Sequence, residues 1–298
     1  MLSVRSGFVH GLMLLMVILV ASSFPVGAII ADKLPPAVTM CIRFLMAALL
    51  FAPLVFKRHG FALPKPAQLL GYIVLSLPLV AFFWCMFEAL RYTSALNTGA
   101  IYTLVPAITA IYAFVINRET LSPIRASGLL LGTLGALWIV FRGETERLLA
   151  LQLNHGDLVF FIGCLFMAAY GPLVKRLYAG EPMEVMTFWV ISAGSVWLFL
   201  LSLPQLPAIN WPQVDPSVFV GALYLAVFTT LITFFLLQFG TVKLGATRVA
   251  AYSFLTPVFV LLLEYLLGKE SLTPLLMVGA GCVVAAMLLV QRDSQTAS

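Results

Sequence analysis

Ten runs of mostly apolar residues follow one another along the chain, at about 8–31, 36–56, 67–90, 95–116, 123–141, 156–178, 183–203, 214–238, 246–267 and 272–291. Each comes close to the ~20 residues that cross a bilayer as a helix. The breaks between them are too short for a soluble domain. Backbone polar groups in lipid need partners within their own segment, so these runs must be helices. A membrane β-barrel would alternate apolar and polar residues in strands of about ten residues, and no such alternation is present. Composition agrees: 10% of the 298 residues are charged and 62% are apolar, whereas a soluble domain carries about 25% charged residues. The net charge of +5 is scattered in ones and twos between the runs, which excludes a nucleic-acid patch. The first run, with Arg5 before it, has some features of a signal peptide, but it is long enough to span and many spans follow. Cys41, Cys85, Cys164 and Cys282 all lie inside apolar runs and read as buried thiols packed like small hydrophobes.

The basic residues orient the spans. With the N-terminus inside, eleven fall on the cytoplasmic side (Arg5, Lys57, Arg58, Lys65, Arg118, Arg125, Lys175, Arg176, Lys243, Arg248 and Arg292). Five fall outside (Lys33, Arg91, Arg142, Arg147 and Lys269). Cytoplasmic loops favour Lys and Arg, so both termini are expected in the cytoplasm.

The chain also repeats itself. "ALNTGAIYTLVPAITAIYAFVINRETLSP" at 95–123 aligns without a gap on "ATRVAAYSFLTPVFVLLLEYLLGKESLTP" at 246–274, an offset of 151, with seven of 29 positions identical. Apolar bias does not account for the ordered polar tail, which runs Arg or Lys, Glu, Thr or Ser, Leu, Ser or Thr, Pro in both copies. Pro36 falls on Pro182 and Phe24 on Tyr170 at an offset of 146, so spans 1–2 match spans 6–7 weakly. The expected fold is an all-α membrane protein of ten transmembrane helices in two inverted five-helix repeats, 1–148 and 149–298. Five is odd, so the second copy enters the membrane from the opposite side, an arrangement characteristic of secondary transporters.

Within the tail, Ser122-Pro123 and Thr273-Pro274 read as helix N-caps followed by proline. Glu119 and Glu270 suit the positive end of the next helix, and a gating role is the second reading. Pro106 cannot bond the carbonyl of Tyr102, nor Pro257 that of Ser253. Two breaks at matching places suggest discontinuous helices lining a site. Pro25 and Pro172 (and Pro78) would act alike in spans 1, 6 and 3.

Polar and aromatic groups at membrane depth are the candidates for substrate binding: Ser22, Ser23, Arg43, Trp84, Tyr102, Tyr170, Trp189, Thr230, Tyr252 and Ser253. Phe24, Asn97, Thr98, Thr103, Thr229, Thr233 and Thr256 belong to the same set. Hydroxyls and freed carbonyls can hold an ammonium or carboxyl group while rings pack an apolar moiety. A lone Ser or Thr in a span more often bonds its own or a neighbouring helix. Arg43 is costly in lipid and should face a cavity or a partner, or snorkel outward. Glu88 and Glu264, near outer span ends, are candidate proton carriers, although Glu88 can pair with Arg91 three residues on. Gly128 and Gly132 form a GxxxG in span 5, suited to packing inside the bundle and also to a homodimer.

In its ten spans, "ASSFPVG" at 21–27, "IRFLMAALL" at 42–50 and the two proline-centred segments, the chain resembles the EamA-type transporters of the drug/metabolite transporter superfamily. The resemblance covers nearly the whole sequence. It implies an exporter or importer of a small organic metabolite, often an amino acid or a related compound, in the cytoplasmic membrane and without a cofactor; export is the expected direction. It also implies that spans 5 and 10 are peripheral while the other eight surround a cavity. Small multidrug exporters, distant relatives, carry a glutamate within span 1, and this span has no acidic residue before Asp32. The competing readings are a membrane-embedded lipid-modifying enzyme and a non-transporting scaffold. His10, His59 and His155 are isolated, and no metal-ligand or phosphate-loop motif is present. A scaffold has no need of two-sided symmetry.

Overall fold

A computed structural model describes residues 6–60, 63–93, 98, 101–141, 146, 154–266 and 273–292. Asn97, Lys269 and Glu270 lie outside these residues, and so does the side chain of Glu264. The described chain forms ten helical spans: α1 (Ser6–Ile30), α2 (Pro36–His59), α3 (Pro66–Ala89), α4 (Val105–Asn117), α5 (Pro123–Val140), α6 (His155–Leu177), α7 (Met183–Ser202), α8, α9 and α10 (Pro274–Arg292). In α8, Pro216–Ala226 and Thr233–Leu244 are joined by a π-helical turn, Val227–Ile232. In α9, a short helix Ala246–Ala251 passes through a 3₁₀ turn, Tyr252–Leu255, into Thr256–Leu266. Eight of the ten are long and apolar enough to cross a membrane, and α4 and α5 are shorter apolar helices.

The ends are built as the sequence implies. The Ser122 hydroxyl accepts from the Arg125 amide at 3.2 Å, and that of Thr273 from the Leu276 amide at 3.4 Å. Asn154 and Asp157 form a reciprocal capping box at the start of α6.

Exchange of the two five-helix halves maps the packing onto itself. α5 packs on α10, α2 on α7 and α4 on α9, each pair its own image. α3 packs on α6 as α8 packs on α1, α4 on α6 as α9 on α1, and α3 on α7 as α8 on α2. An all-α membrane fold of two inverted repeats follows. Lipid provides no hydrophobic drive between helices, so close approach depends on small residues. Gly128 and Gly135 show this at the α5/α10 seam, and Gly132 where α5 meets Phe254 of α9. A Cβ on Gly135 would lie 2.8 Å from Cys282 Cβ, and one on Gly128 2.9 Å from Val290. The GxxxG of span 5 is thus used inside the bundle.

Candidate functional site

Between the halves lies a cavity with about 890 Å³ of empty space, its mouth included, lined from α1, α3, α4, α6, α8 and α9 and by Tyr102, just ahead of the turn that precedes α4. α2 and α7 supply no lining residue; they stand behind the wall. The lining mixes aromatic rings (Phe24, Phe82, Phe83, Tyr102, Tyr170, Phe234), three methionines and the hydroxyls of Ser23, Thr109, Thr229, Thr233, Thr241, Ser253 and Thr256. No charged side chain lies among these described lining residues.

The matched prolines mark the breaks. A turn at Thr103–Leu104 precedes α4, whose second residue is Pro106. The 3₁₀ turn Tyr252–Leu255 precedes the last helix of α9, whose second residue is Pro257. Tyr102 and Ser253, one turn before each proline, both line the cavity. Pro25 and Pro172 behave differently. Helices α1 and α6 run through them without interruption, because a single lost amide bond is tolerated inside a membrane bundle. The Pro172 carbonyl accepts from Asn117 Nδ2 at 3.1 Å.

The ten expected binding residues separate into two groups. Ser23, Tyr102, Tyr170 and Ser253 come together in the lining. The other six do not reach it. The Ser22 hydroxyl bonds Tyr224 of α8 at 2.8 Å. Tyr252 is fully buried and bonds His10 across the α1/α9 contact. Trp84 is half-buried outside the lining, and Trp189 packs on Phe188. Thr230 is buried behind the wall with Arg43.

Arg43 has no exposed surface at all, which removes the snorkelling alternative. Its Nε donates to Thr230 Oγ1 at 2.5 Å, and one terminal nitrogen donates to the Thr229 carbonyl at 2.7 Å and Thr229 Oγ1 at 2.9 Å. These acceptors sit in the π turn of α8. A π turn shifts the helical ladder by one residue, and a guanidinium fork can cap the carbonyls left over.

Tyr170 is the end of a second buried network. Gln238 Nε2 donates to its hydroxyl at 2.8 Å, and Gln238 Oε1 accepts from Thr187 at 2.5 Å. α6, α7 and α8 are tied together there. Gln238, Thr187 and His10 escape sequence reasoning, because nothing local marks a lone polar residue as buried.

Polar links between halves cluster at both membrane faces. On the face where α1 starts, Lys175 Nζ donates to Glu119 Oε1 at 2.7 Å and Thr247 to Glu119 Oε2 at 3.4 Å. Arg118 ends α4 in the left-handed region, φ 55°, and Glu119 follows it. Glu119 therefore bridges α6 and α9 rather than only facing a helix dipole. On the far face Lys33 pairs with Asp215 and Thr93 donates to Asp157. The Lys33 hydrogen bond, with help from Ser217, holds the Asp215 carboxyl down to about 2. Glu88 pairs with Arg91 at 3.1 Å, outside the cavity lining, and this bond raises the Arg91 pKa.

Comparison with known proteins agrees with this architecture. The uncharacterized transporter YyaM of Bacillus subtilis is 26% identical over 259 residues, 85% of this chain and 83% of the relative. An S-adenosylmethionine/S-adenosylhomocysteine transporter of Chlamydia muridarum is 25% identical over 287 residues, 92% of this chain and 88% of the relative. One solved crystal structure shares the fold with a TM-score of 0.74, covering 95% of this chain and 98% of its own, at 17% identity. The pattern of the EamA-like transporter family matches twice, over residues 8–141 and 154–292. Ten helices in two related halves around a cavity whose described lining is uncharged are thus those of a membrane transporter, and the protein belongs to the EamA-like transporter family.

Proposed function

We propose that the protein is a secondary transporter of the cytoplasmic membrane. It exports a small organic metabolite, an amino acid or a related compound, by alternating access through the central cavity. Both termini lie in the cytoplasm, and the halves divide at 148/149. The observation that carries this reading is the cavity between two broken helices, α9 and the segment leading into α4, one from each half. Such a site can be exposed to either face by rocking one half against the other. Glu119, held by Lys175 and Thr247 of the other half, closes the cavity on the α1-start face. The named substrates of the Chlamydia relative are likewise small organic molecules, and they speak for metabolite transport over lipid-modifying chemistry or a scaffold role.

The test is release from liposomes loaded with a pooled, labelled metabolite set, read by mass spectrometry with and without a pH gradient. Wild-type protein should release a narrow class of solute. Ser253→Trp, which fills the cavity, should abolish release, and Leu130→Trp on the lipid-facing side of α5 should leave it intact. Folded wild-type protein that releases nothing in either orientation contradicts the proposal.

A further inference from the structure

Arg43 is a cation inside the membrane that, among the described residues, makes no ion pair. Its partners are hydroxyls and a carbonyl, which are neutral. Nε and one terminal nitrogen reach oxygen atoms. The other terminal nitrogen meets only the sulfur of Met40, at 4.0 Å. The guanidinium carbon lies 4.4 Å from the centroid of the Phe83 ring. Phe83 and Thr229 both line the cavity, so a single side chain separates the positive charge from the site. Nothing in the described lining is charged to cancel it. The field of an unpaired charge in a water-poor interior falls off slowly.

We infer that Arg43 gives the cavity a positive potential, and that the transported molecule therefore carries a carboxylate or another anionic group. Arg43 acts across the wall and does not touch the substrate. It sets specificity by favouring anionic groups and disfavouring cations that lack one. Its fork onto the π turn is a separate, positioning role. The inference rests on the transporter reading and names the substrate class of the same cavity.

Two substitutions separate charge from structure. Arg43→Lys keeps the charge and loses the fork; Arg43→Gln keeps donors and loses the charge. The readout is the release ratio, from the same liposome assay at neutral pH, of carboxylate-bearing solutes to size-matched cations without a carboxylate. Wild-type protein should favour the first by at least about tenfold, the equivalent of ~1.4 kcal/mol. Arg43→Lys should keep that ratio even where its absolute rate falls. Arg43→Gln should bring it within about threefold of unity. If Arg43→Gln does not fold, Thr229→Asp places a carboxylate against the guanidinium and should erase the preference in its place. A ratio unchanged in Arg43→Gln or in Thr229→Asp, or a wild-type preference for cations, overturns the inference and leaves the transporter reading standing. Release of nothing by wild-type protein removes both.

Discussion

Two helix crossings related by the exchange of halves, α2 against α8 and α7 against α3, are built from different residues. At the first, Arg43 is buried against the π turn of α8. At the second, the position of Arg43, 146 residues on, holds Trp189, and the counterparts of Thr229 and Thr230, 150 residues back, are Leu79 and Val80. α3 stays α-helical there through Pro78. Gly194 brings α7 close, since a Cβ on it would lie 3.0 Å from the Phe44 ring and 3.4 Å from Val80. Pro66 and Gly71 match Pro216 and Gly221 at an offset of 150, whereas the proline-centred segments match at 151. One extra residue has entered between them in the second half, and the π turn is where a helix absorbs such an insertion. Duplication accounts for the paths of the helices. A few unmatched side chains then place charge on one side of a symmetric frame.

Substitutions at the two crossings should break this comparison to different degrees. Arg43→Ala leaves a void and an uncapped Thr229 carbonyl and should cost about 3 kcal/mol. Arg43→Met fills the void and sheds a buried charge, so it should cost no more than about 1 kcal/mol. Trp189→Ala, at the half-buried mirrored position, should cost about 2 kcal/mol. Thermal unfolding in detergent orders the three. Equal losses in Arg43→Ala and Arg43→Met would show that the charge itself stabilises the crossing.

The Gln238 network sharpens the contrast further, because its mirrored residue, 151 back, is the fully buried Phe87. Gln238→Leu leaves the Tyr170 and Thr187 hydroxyls without their partner, at a cost of about 2 kcal/mol. Combined with Tyr170→Phe, the losses should fall short of additive by about 1 kcal/mol. Strict additivity in that cycle would mean the network is not a unit.

The polar links between halves at the two faces have smaller effects on stability. Glu119→Gln should change it by no more than about 1 kcal/mol, as for other ion pairs near the surface. Its effect should appear in access: a cysteine at Ser253 should react several-fold faster from the α1-start face. On the far face the Asp215 carboxyl, held down to about 2 by Lys33, adds stability that is complete above the unfolded carboxylate pKa. That contribution is lost as pH falls through the folded value. The melting difference between wild type and Asp215→Asn should stay constant from pH 7 to about pH 5 and close toward pH 2. A difference that grows on acidification would reverse the sign of this linkage.

Much of the fold was legible in the sequence. The ten apolar runs, the repeat and the capped hairpin at Ser122 all carry local patterns that survive without knowledge of neighbours. The break at Pro106 was legible for the same reason. The site was legible only in part. Helices enclosed by lipid and protein are apolar all round, so no stripe told Ser23 from Ser22, or Tyr102 from Tyr252. The partners of Arg43 lie almost two hundred residues away in the other half, and the π turn showed only as a one-residue change of offset. Glu119 read first as hairpin punctuation because its partners, Lys175 and Thr247, come from a different repeat.

The most direct test of the central claim is two-sided labelling of the cavity. A cysteine at Ser23, in protein whose four native cysteines are replaced, would be exposed in sealed, oriented vesicles to a membrane-impermeant maleimide applied from one face at a time. Alternating access predicts reaction from either face, with Glu119→Gln raising the rate from the α1-start side. Labelling confined to one face under every condition, in wild type and in Glu119→Gln alike, would contradict a cavity that opens to both.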